Sequence, residues 1–232
     1  MTQPTTEAAP ERTRGALREL ADDPSSRKRF FKMMGGAGAA GAFAIFLAAC
    51  GDDEDEPTGG GGQTQTEQDA GGGGQDLEIV QYALTLEHLE TDFYNAVIDA
   101  GVIEDQALAE TAMLIRDNEQ EHVDALTATV EDLGGTPEKP QTNFDSVLEG
   151  GPQMVLQTAA TVENLGAAAY LGQAGRIESK EILAAALAIH SVEGRHAAAL
   201  NRVVGKTIVP DGAFAKPASM EEVLPKVQPF LA

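Results

Sequence analysis

Two acid–imidazole pairs with the same spacing are the residues best suited to chemistry. Glu119 and His122 form one Glu-x-x-His pair, and Glu193 and His196 form the other. Three residues of α-helix turn about 300°, so both side chains of a pair project from one face. Mixed carboxylate and imidazole ligands suit iron, manganese or zinc better than a metal that prefers thiolates. The spacing therefore indicates metal ligation, although one such pair alone more often marks a solvated helix face or a hydrogen-bonded core histidine.

Each pair also interrupts an apolar stripe. Apolar residues recur every three or four positions around both pairs: Leu108, Ala112, Ile115, Leu126 and Val130 around the first, and Ile182, Ala186, Ile189, Leu200 and Val203 around the second. This period predicts a buried helix face. Burying an unpaired carboxylate is costly, so we expect these acids to be paired, protonated or bound to metal.

Two further glutamates complete an internal repeat. Tyr94 stands seven residues after Glu87, and Tyr170 stands seven residues after Glu163. Each half thus supplies a Glu, a Tyr and then a Glu-x-x-His. Within each half the glutamates are 32 residues apart (87 to 119) and 30 residues apart (163 to 193), which suits two antiparallel helices joined by a short loop.

The duplicated set predicts a dinuclear metal site. Four carboxylates and two imidazoles in an apolar interior are unfavourable alone, and two divalent cations would offset all four charges. The alternative is four surface glutamates and two core histidines. Repetition of the whole set on apolar stripes favours the metal site.

The pattern predicts an all-α fold, an antiparallel four-helix bundle over residues 76–204 built from two similar helix pairs. The long helices are expected at about Asp76 to Ala100, Asp105 to Leu133, Pro152 to Ala174 and Glu178 to Val204. Residues 136–143 contain two prolines and form the long crossover between halves, followed by a short helical turn at 144–148. Residues 205–232 are expected to pack on the bundle as a C-terminal extension, with a short helix from Met220 to Val227.

Residues 1–49 read as an export signal. A basic flank precedes an apolar run, residues 35–49, that is too short for a comfortable bilayer span. The end, Leu-Ala-Ala-Cys50-Gly, resembles a bacterial lipobox, in which the cysteine is lipidated. The basic flank resembles a twin-arginine signal, but Lys28 replaces the second arginine, which leaves the export route open between twin-arginine and general secretion. The alternative is a short anchor that stays attached.

Residues 50–75 are rich in glycine, glutamine and acids, which predicts a flexible tether behind the lipidated Cys50. The protein is then expected on the outer face of the cell membrane as a lipoprotein.

Composition limits the other functions. The 232 residues carry a formal net charge of −21, which argues against nucleic acid as a partner. One cysteine leaves no disulfide framework and no Cys-x-x-Cys site. With four histidines, any metal site must depend on carboxylates.

The six-residue pattern resembles that of the ferritin-like di-metal carboxylate bundles, over residues 76–204. In that family two helices each give one Glu and the other two each give a Glu-x-x-His. By this resemblance the metal ligands are Glu87, Glu119, His122, Glu163, Glu193 and His196. Glu119 and Glu193 would bridge the two ions. Tyr94 and Tyr170 resemble tyrosines that hydrogen-bond ligand carboxylates in rubrerythrin-type members; the alternative is ordinary core aromatics.

Two histidines are left outside this set. His190 would support the site or face an interface, and His88 is expected to point about 100° away from the metal face. With its proline-containing tail, the domain is most similar to bacterial ferritin-like proteins related to plant desiccation-associated proteins.

The resemblance implies redox chemistry at two metal ions, with iron expected and manganese or zinc as alternatives. The reaction would be oxidation of Fe²⁺ by oxygen or peroxide, or peroxide removal as in manganese catalases. The alternative is a non-catalytic metal-binding or stress-protective bundle in the cell envelope. A lipid-tethered subunit fits a ferritin cage poorly, and a homodimer stays open. The chain has no Cys₄ iron domain of the rubrerythrin kind, so it carries no built-in electron donor.

Overall fold

The computed structural model describes residues 73–232, so the predicted export signal, Cys50 and nearly all of the tether lie outside the described residues. The helices are α1 (Gly73–Ala100), α2 (Gln106–Asp132), α3 (Asp145–Glu149), α4 (Gly151–Ala174), α5 (Lys180–Val203) and α6 (Met220–Val227), followed by a 3₁₀ turn at Gln228–Phe230. Residues 73–232 contain no strand, and their isolated β-bridge joins Thr142 to Leu231. The all-α prediction is confirmed.

The four long helices pack as two antiparallel pairs. α1 packs along α2 and α4 packs along α5, and a short connection joins the members of each pair. Hydrogen bonds from Tyr94 to Glu163 and from Tyr170 to Glu87 show that α1 and α4 also run in opposite directions. Each helix in the described part of the chain is either too short or too polar to serve as a transmembrane span.

Local signals define the helix ends. The Asp105 side chain accepts a hydrogen bond from the amide of Leu108 at 3.0 Å and so caps α2. Ser179 caps α5 through the amide of Ile182 at 3.3 Å. After α2, Gly134 has a φ of 78°, a left-handed conformation that glycine adopts without steric cost.

Asp76, at which the sequence predicts the first helix to begin, does not act as its N-cap. α1 begins at Gly73, which places Asp76 in its first turn. The buried Asp76 carboxylate instead accepts hydrogen bonds from the amides of Glu178, at 2.9 Å, and Ser179, at 2.8 Å. It therefore fixes the start of α1 against the connection between α4 and α5.

Two apolar clusters lie on either side of the predicted site. Ile115, four residues before Glu119, belongs to the larger cluster, which also holds Phe93. Val123, four residues after Glu119, belongs to the smaller cluster with Leu84 and Ile189. The helical period thus places the acids in a polar layer between two apolar segments of one bundle.

The C-terminal segment packs on the bundle and meets the crossover. The amide of Ala218 donates to the carbonyl of Ala168 on α4 at 2.9 Å, and a Cβ at Gly172 would overlap the carbonyl oxygen of Ala218. The amide of Asn143 donates to the carbonyl of Phe230, also at 2.9 Å. Since Val223 and Val227 of α6 are fully buried as well, the C-terminal segment packs against the bundle and covers part of its apolar core.

Candidate metal centre

The bundle brings the six predicted side chains together. They come from four helices: Glu87 on α1, Glu119 and His122 on α2, Glu163 on α4, and Glu193 and His196 on α5. All four glutamates are 0% exposed, and both histidines are buried. Such burial excludes the reading that these are surface glutamates.

His122 lies among three of the carboxylates. Its Nδ1 is 2.8 Å from Glu119 Oε2 and 3.1 Å from Glu87 Oε2. Glu193 Oε1 lies 3.5 Å from the same nitrogen. Two carboxylates from the first half and Glu193 from the second half therefore surround this imidazole.

His196 occupies the corresponding place in the second half. Its Nδ1 is 2.8 Å from Glu119 Oε1 and 3.2 Å from Glu163 Oε2, yet it has no hydrogen-bond partner. Its Nε2 lies 3.1 Å from Asn118 Oδ1. Because an amide oxygen only accepts, Nε2 donates to Asn118. Burial would lower the pKa of His196, yet Glu119 and Glu163 raise it to about 9, so the Nδ1 lone pair becomes available once a cation displaces the second proton of the ring. The hydrogen bond to Asn118 keeps the other proton on Nε2, which is the tautomer that a metal ligand at Nδ1 needs.

Several ligand atoms are buried without a hydrogen-bond partner. They are Glu119 Oε1, Glu163 Oε2, both carboxylate oxygens of Glu193, and His196 Nδ1. Buried polar atoms in folded proteins nearly always have a partner, whereas these five atoms have none and belong to carboxylates and an imidazole that converge on one another. Oxygen and imidazole nitrogen lone pairs converging in this way fit a cation.

The convergent atoms form two overlapping groups, in each of which the ligand atoms lie within 4.8 Å of one another. The groups are Glu87, Glu119, His122 and Glu193, and Glu119, Glu163, Glu193 and His196. Glu119 and Glu193 belong to both. The arrangement can hold metal, with two neighbouring positions that share two carboxylates.

Two tyrosines hydrogen-bond the unshared carboxylates across the bundle. Tyr94 donates to Glu163 Oε1 and Tyr170 donates to Glu87 Oε1, both at 2.5 Å. Burial and the neighbouring carboxylates raise the pKa of both tyrosines well above its usual range, so both hydroxyls keep their protons and donate. Each bond occupies one carboxylate oxygen and leaves Oε2 directed at the histidine.

Burial and mutual repulsion keep protons in the site when no cation is bound. Burial raises the pKa of Glu87 to about 7 and that of Glu193 well above its usual range. Burial opposes ionisation of Glu119 too, but the hydrogen bond from His122 and the positive charge of that ring outweigh it and hold the pKa of Glu119 below its usual range. Burial would lower the pKa of His122, yet Glu87 and Glu119 raise it to about 10. A cation entering the site therefore replaces protons.

A fifth buried glutamate, Glu90, was missed by sequence reasoning. Glu90 is 2% exposed, and its Oε2 has no hydrogen-bond partner. Burial and then the charge of Glu87 raise its pKa well above the usual range. Space for it exists because a Cβ at Gly166 would lie only 2.8 Å from both Glu90 Oε1 and Glu193 Oε2. The available signal was its position three residues after Glu87, the same spacing as Glu-x-x-His.

The other two histidines stay outside the cluster. His190 Nδ1 lies 3.0 Å from the carbonyl oxygen of Ala167, so this ring ties α5 to α4 through the backbone. His88 is half-buried and belongs to neither group of ligand atoms. This placement agrees with the expectation that His88 points away from the metal face.

An all-α bundle with two overlapping sets of buried carboxylates and imidazoles defines a class of helical proteins built to hold metal in their core. The family model described as a ferritin-like domain matches residues 75–206, more than half of the chain. The chain therefore belongs to the ferritin-like domain family. No curated protein matches it.

Proposed function

We propose that the protein binds two metal ions, iron above all, and oxidises Fe²⁺. The observation that carries the proposal is the set of five buried ligand atoms without hydrogen-bond partners, all within the two overlapping groups. Two divalent cations would compensate the four glutamates and satisfy these atoms together. The donor set of carboxylates and imidazoles suits iron, with manganese or zinc as alternatives.

The geometry supports a division of roles among the six residues. Glu87 and His122 would hold one ion, and Glu163 and His196 would hold the other. Glu119 and Glu193 would contribute to both positions, because these two residues belong to both groups.

The surrounding side chains position the ligands and exclude water. Tyr94 and Tyr170 hold one oxygen of each unshared carboxylate, and Asn118 holds the His196 ring. Apolar clusters on both sides keep the layer dry, which strengthens every electrostatic interaction in it. Bound iron supplies the redox chemistry: two Fe²⁺ give up one electron each, and dioxygen takes two electrons and two protons to become hydrogen peroxide, or peroxide takes them to become water.

A metal-holding function without turnover is the second candidate. The complete burial of the four glutamates favours it, because a closed site retains ions more readily than it admits substrates. Stoichiometric metal binding without any oxidation of added Fe²⁺ would select this function.

The site is tested by metal analysis of the full-length protein and of the double variant Glu119→Gln/Glu193→Gln. We expect the double variant to lose both ions because it alters both shared ligands. Glu131→Gln, an exposed glutamate on the same helix as Glu119, is the matched control and should keep both. Unchanged metal content in the double variant would refute the ligand assignment.

We also propose that Cys50 is lipidated and anchors the protein to the outer face of the cell membrane. The lipobox-like sequence at 47–51 supports this. Mass spectrometry of the N-terminal peptide should show an acylated Cys50, and Cys50→Ser should move the protein from the membrane fraction to the soluble fraction. An unmodified Cys50 in the membrane-bound protein would contradict the proposal.

A further inference from the structure

A small cavity lies beside the site, toward the end of the bundle where α1 ends and α2 begins. All four long helices contribute to its walls, which include Phe93, Tyr94, Ala112 and Ala159. It has room for a water-sized molecule. This cavity is distinct from the polar layer of ligands and has no role in holding the ions.

The side chains that line the cavity offer no free hydrogen-bond donor. Only two of its wall residues, Tyr94 and Thr111, have polar side chains. The Tyr94 hydroxyl already donates to Glu163, and the Thr111 hydroxyl donates to the carbonyl of Ala107 at 2.7 Å. A water molecule there would find no free donor and only these two hydroxyl oxygens as side-chain acceptors, fewer than the usual partners of a buried water, whereas an apolar guest needs none.

The cavity adjoins the site on one side and approaches the surface on the other. Tyr94 forms part of its wall and bonds directly to Glu163. Ala159 precedes Glu163 by one helical turn, about 6 Å along α4. On the opposite side, Ile103 and Leu108 are only half-buried. The walls of the cavity therefore include half-buried residues near the outer edge of the bundle and Tyr94, whose hydroxyl bonds to one unshared candidate ligand.

A second small cavity has a different character. It lies beside Glu90 and Gly166 and is closed by Val227 of α6, so a buried carboxylate forms part of its wall. Such a wall suits cations or water. An apolar gas has no reason to prefer it over the cavity at Tyr94.

We propose that the cavity at Tyr94 takes up dioxygen and makes dioxygen, not hydrogen peroxide, the oxidant of this protein. This inference rests on the proposed oxidation of Fe²⁺. Dioxygen forms no strong hydrogen bonds with water and enters an apolar space freely. Hydrogen peroxide must leave the hydrogen bonds of its two hydroxyls behind, which opposes its entry. The electron balance is that of the proposed function: two Fe²⁺ each lose one electron, and dioxygen with two protons gives hydrogen peroxide.

Xenon is the direct probe, because it is apolar, similar in size to small gases and known to enter dry cavities. Crystals of the full-length protein under xenon pressure should show xenon between Tyr94, Ala112 and Ala159. Ala112→Leu should fill the space and abolish that signal. Absence of xenon from this cavity in the wild-type protein would overturn the proposal.

Oxidation rates then connect the cavity to the reaction. Ala112→Leu should slow Fe²⁺ oxidation by limiting dioxygen several-fold and leave oxidation by added hydrogen peroxide unchanged. Ala186→Leu is the matched control, because Ala186 is the counterpart of Ala112 in the repeat and packs on the other apolar cluster. It should keep both rates. Equal slowing with both oxidants, or no slowing with either, would overturn the proposal.

The xenon signal and the oxidation of Fe²⁺ test different properties of the protein, so one can fail without the other. If Ala112→Leu does not fold, Leu156→Phe fills the cavity from a half-buried position and gives the same comparison. Oxidation in the wild-type protein without xenon in the cavity would reject dioxygen uptake there and keep the proposed function. Two bound metals without oxidation of Fe²⁺ by either oxidant would reject both.

Discussion

The two halves of the bundle supply the same ligand types but surround them differently. Glu90 follows Glu87 by three residues, whereas the counterpart in the second half, Gly166, has no side chain. Asn118 precedes Glu119 and bonds to His196, whereas its counterpart before Glu193 is Val192, which offers no side-chain hydrogen bond. The repeat therefore preserves the candidate ligands but not the side chains that surround and position them. Because of this difference, we expect the two metal positions to differ in affinity.

The largest effect should come from removing one histidine at a time. His196→Ala should leave the position of Glu87 and His122 intact, and His122→Ala should leave the position of Glu163 and His196 intact. Each variant should bind about one metal in place of two, because the ligand lost belongs to one group only. Metal titration measures this. Loss of both ions from either variant would show that the halves bind as one unit.

Asn118→Val makes the two halves alike. Without its partner, the His196 ring is free to change tautomer and orientation, and loss of such a support costs roughly 10- to 100-fold in metal affinity. The weaker binding should appear at one of the two ions, as a second step in a competition titration.

Val192→Asn is the reciprocal variant, which places an asparagine in both halves. An equal loss of affinity at both ions in Asn118→Val would show that the two halves do not differ in this respect.

Gly166→Ala tests whether Glu90 occupies space that the second half provides. The new Cβ would lie 2.8 Å from two buried carboxylate oxygens, so we expect a loss of about 1–3 kcal/mol in the free energy of unfolding. Denaturant unfolding of the metal-free protein measures it. Glu90→Ala in the same background should restore much of the loss, and Gly194→Ala is the control, since nothing lies within 4 Å of that Cβ.

The smallest effect is a graded dependence on pH. The pKa of Glu87 in the metal-free protein is about 7, so below that pH a cation must displace its proton. Affinity should then fall about tenfold for each pH unit, or about 1.4 kcal/mol. Stability of the metal-free fold should change in the opposite sense, because a carboxyl with a raised pKa destabilises the fold as pH rises through that value. Glu87→Gln should flatten both profiles.

Much of this architecture could be predicted from the sequence. The 3.6-residue period located the four long helices, and the repeat predicted that six acids and imidazoles would meet, because equal spacings on paired helices reach the same level. These features depend on the period along each helix, which the sequence carries directly. The hydrogen bonds of the two tyrosines were expected from the resemblance to rubrerythrin-type members, and both tyrosines bond to candidate ligand carboxylates in the structure.

Features that depend on rotation between helices could not be predicted in this way. Gly166 lies three residues after Glu163 in the sequence, and the reason for a glycine there appears only in the structure, where Glu90 faces it. Asn118 lies beside a ligand in sequence but bonds to the histidine of another helix. Asp76 has the residue type and position of a cap, yet it bonds to a distant loop. Contacts of this kind require the register of packed helices.

The most direct test of the dinuclear site is to measure the metal content of the full-length protein after anaerobic addition of Fe²⁺. The loaded protein is then exposed to dioxygen, and the oxidation state of its iron is measured. The proposed site predicts about two iron ions per chain, both lost in Glu119→Gln/Glu193→Gln, and conversion of the bound Fe²⁺ to Fe³⁺ on exposure. A wild-type protein that binds no metal under these conditions would contradict the account, and its buried carboxylates would then have to be protonated in the native state.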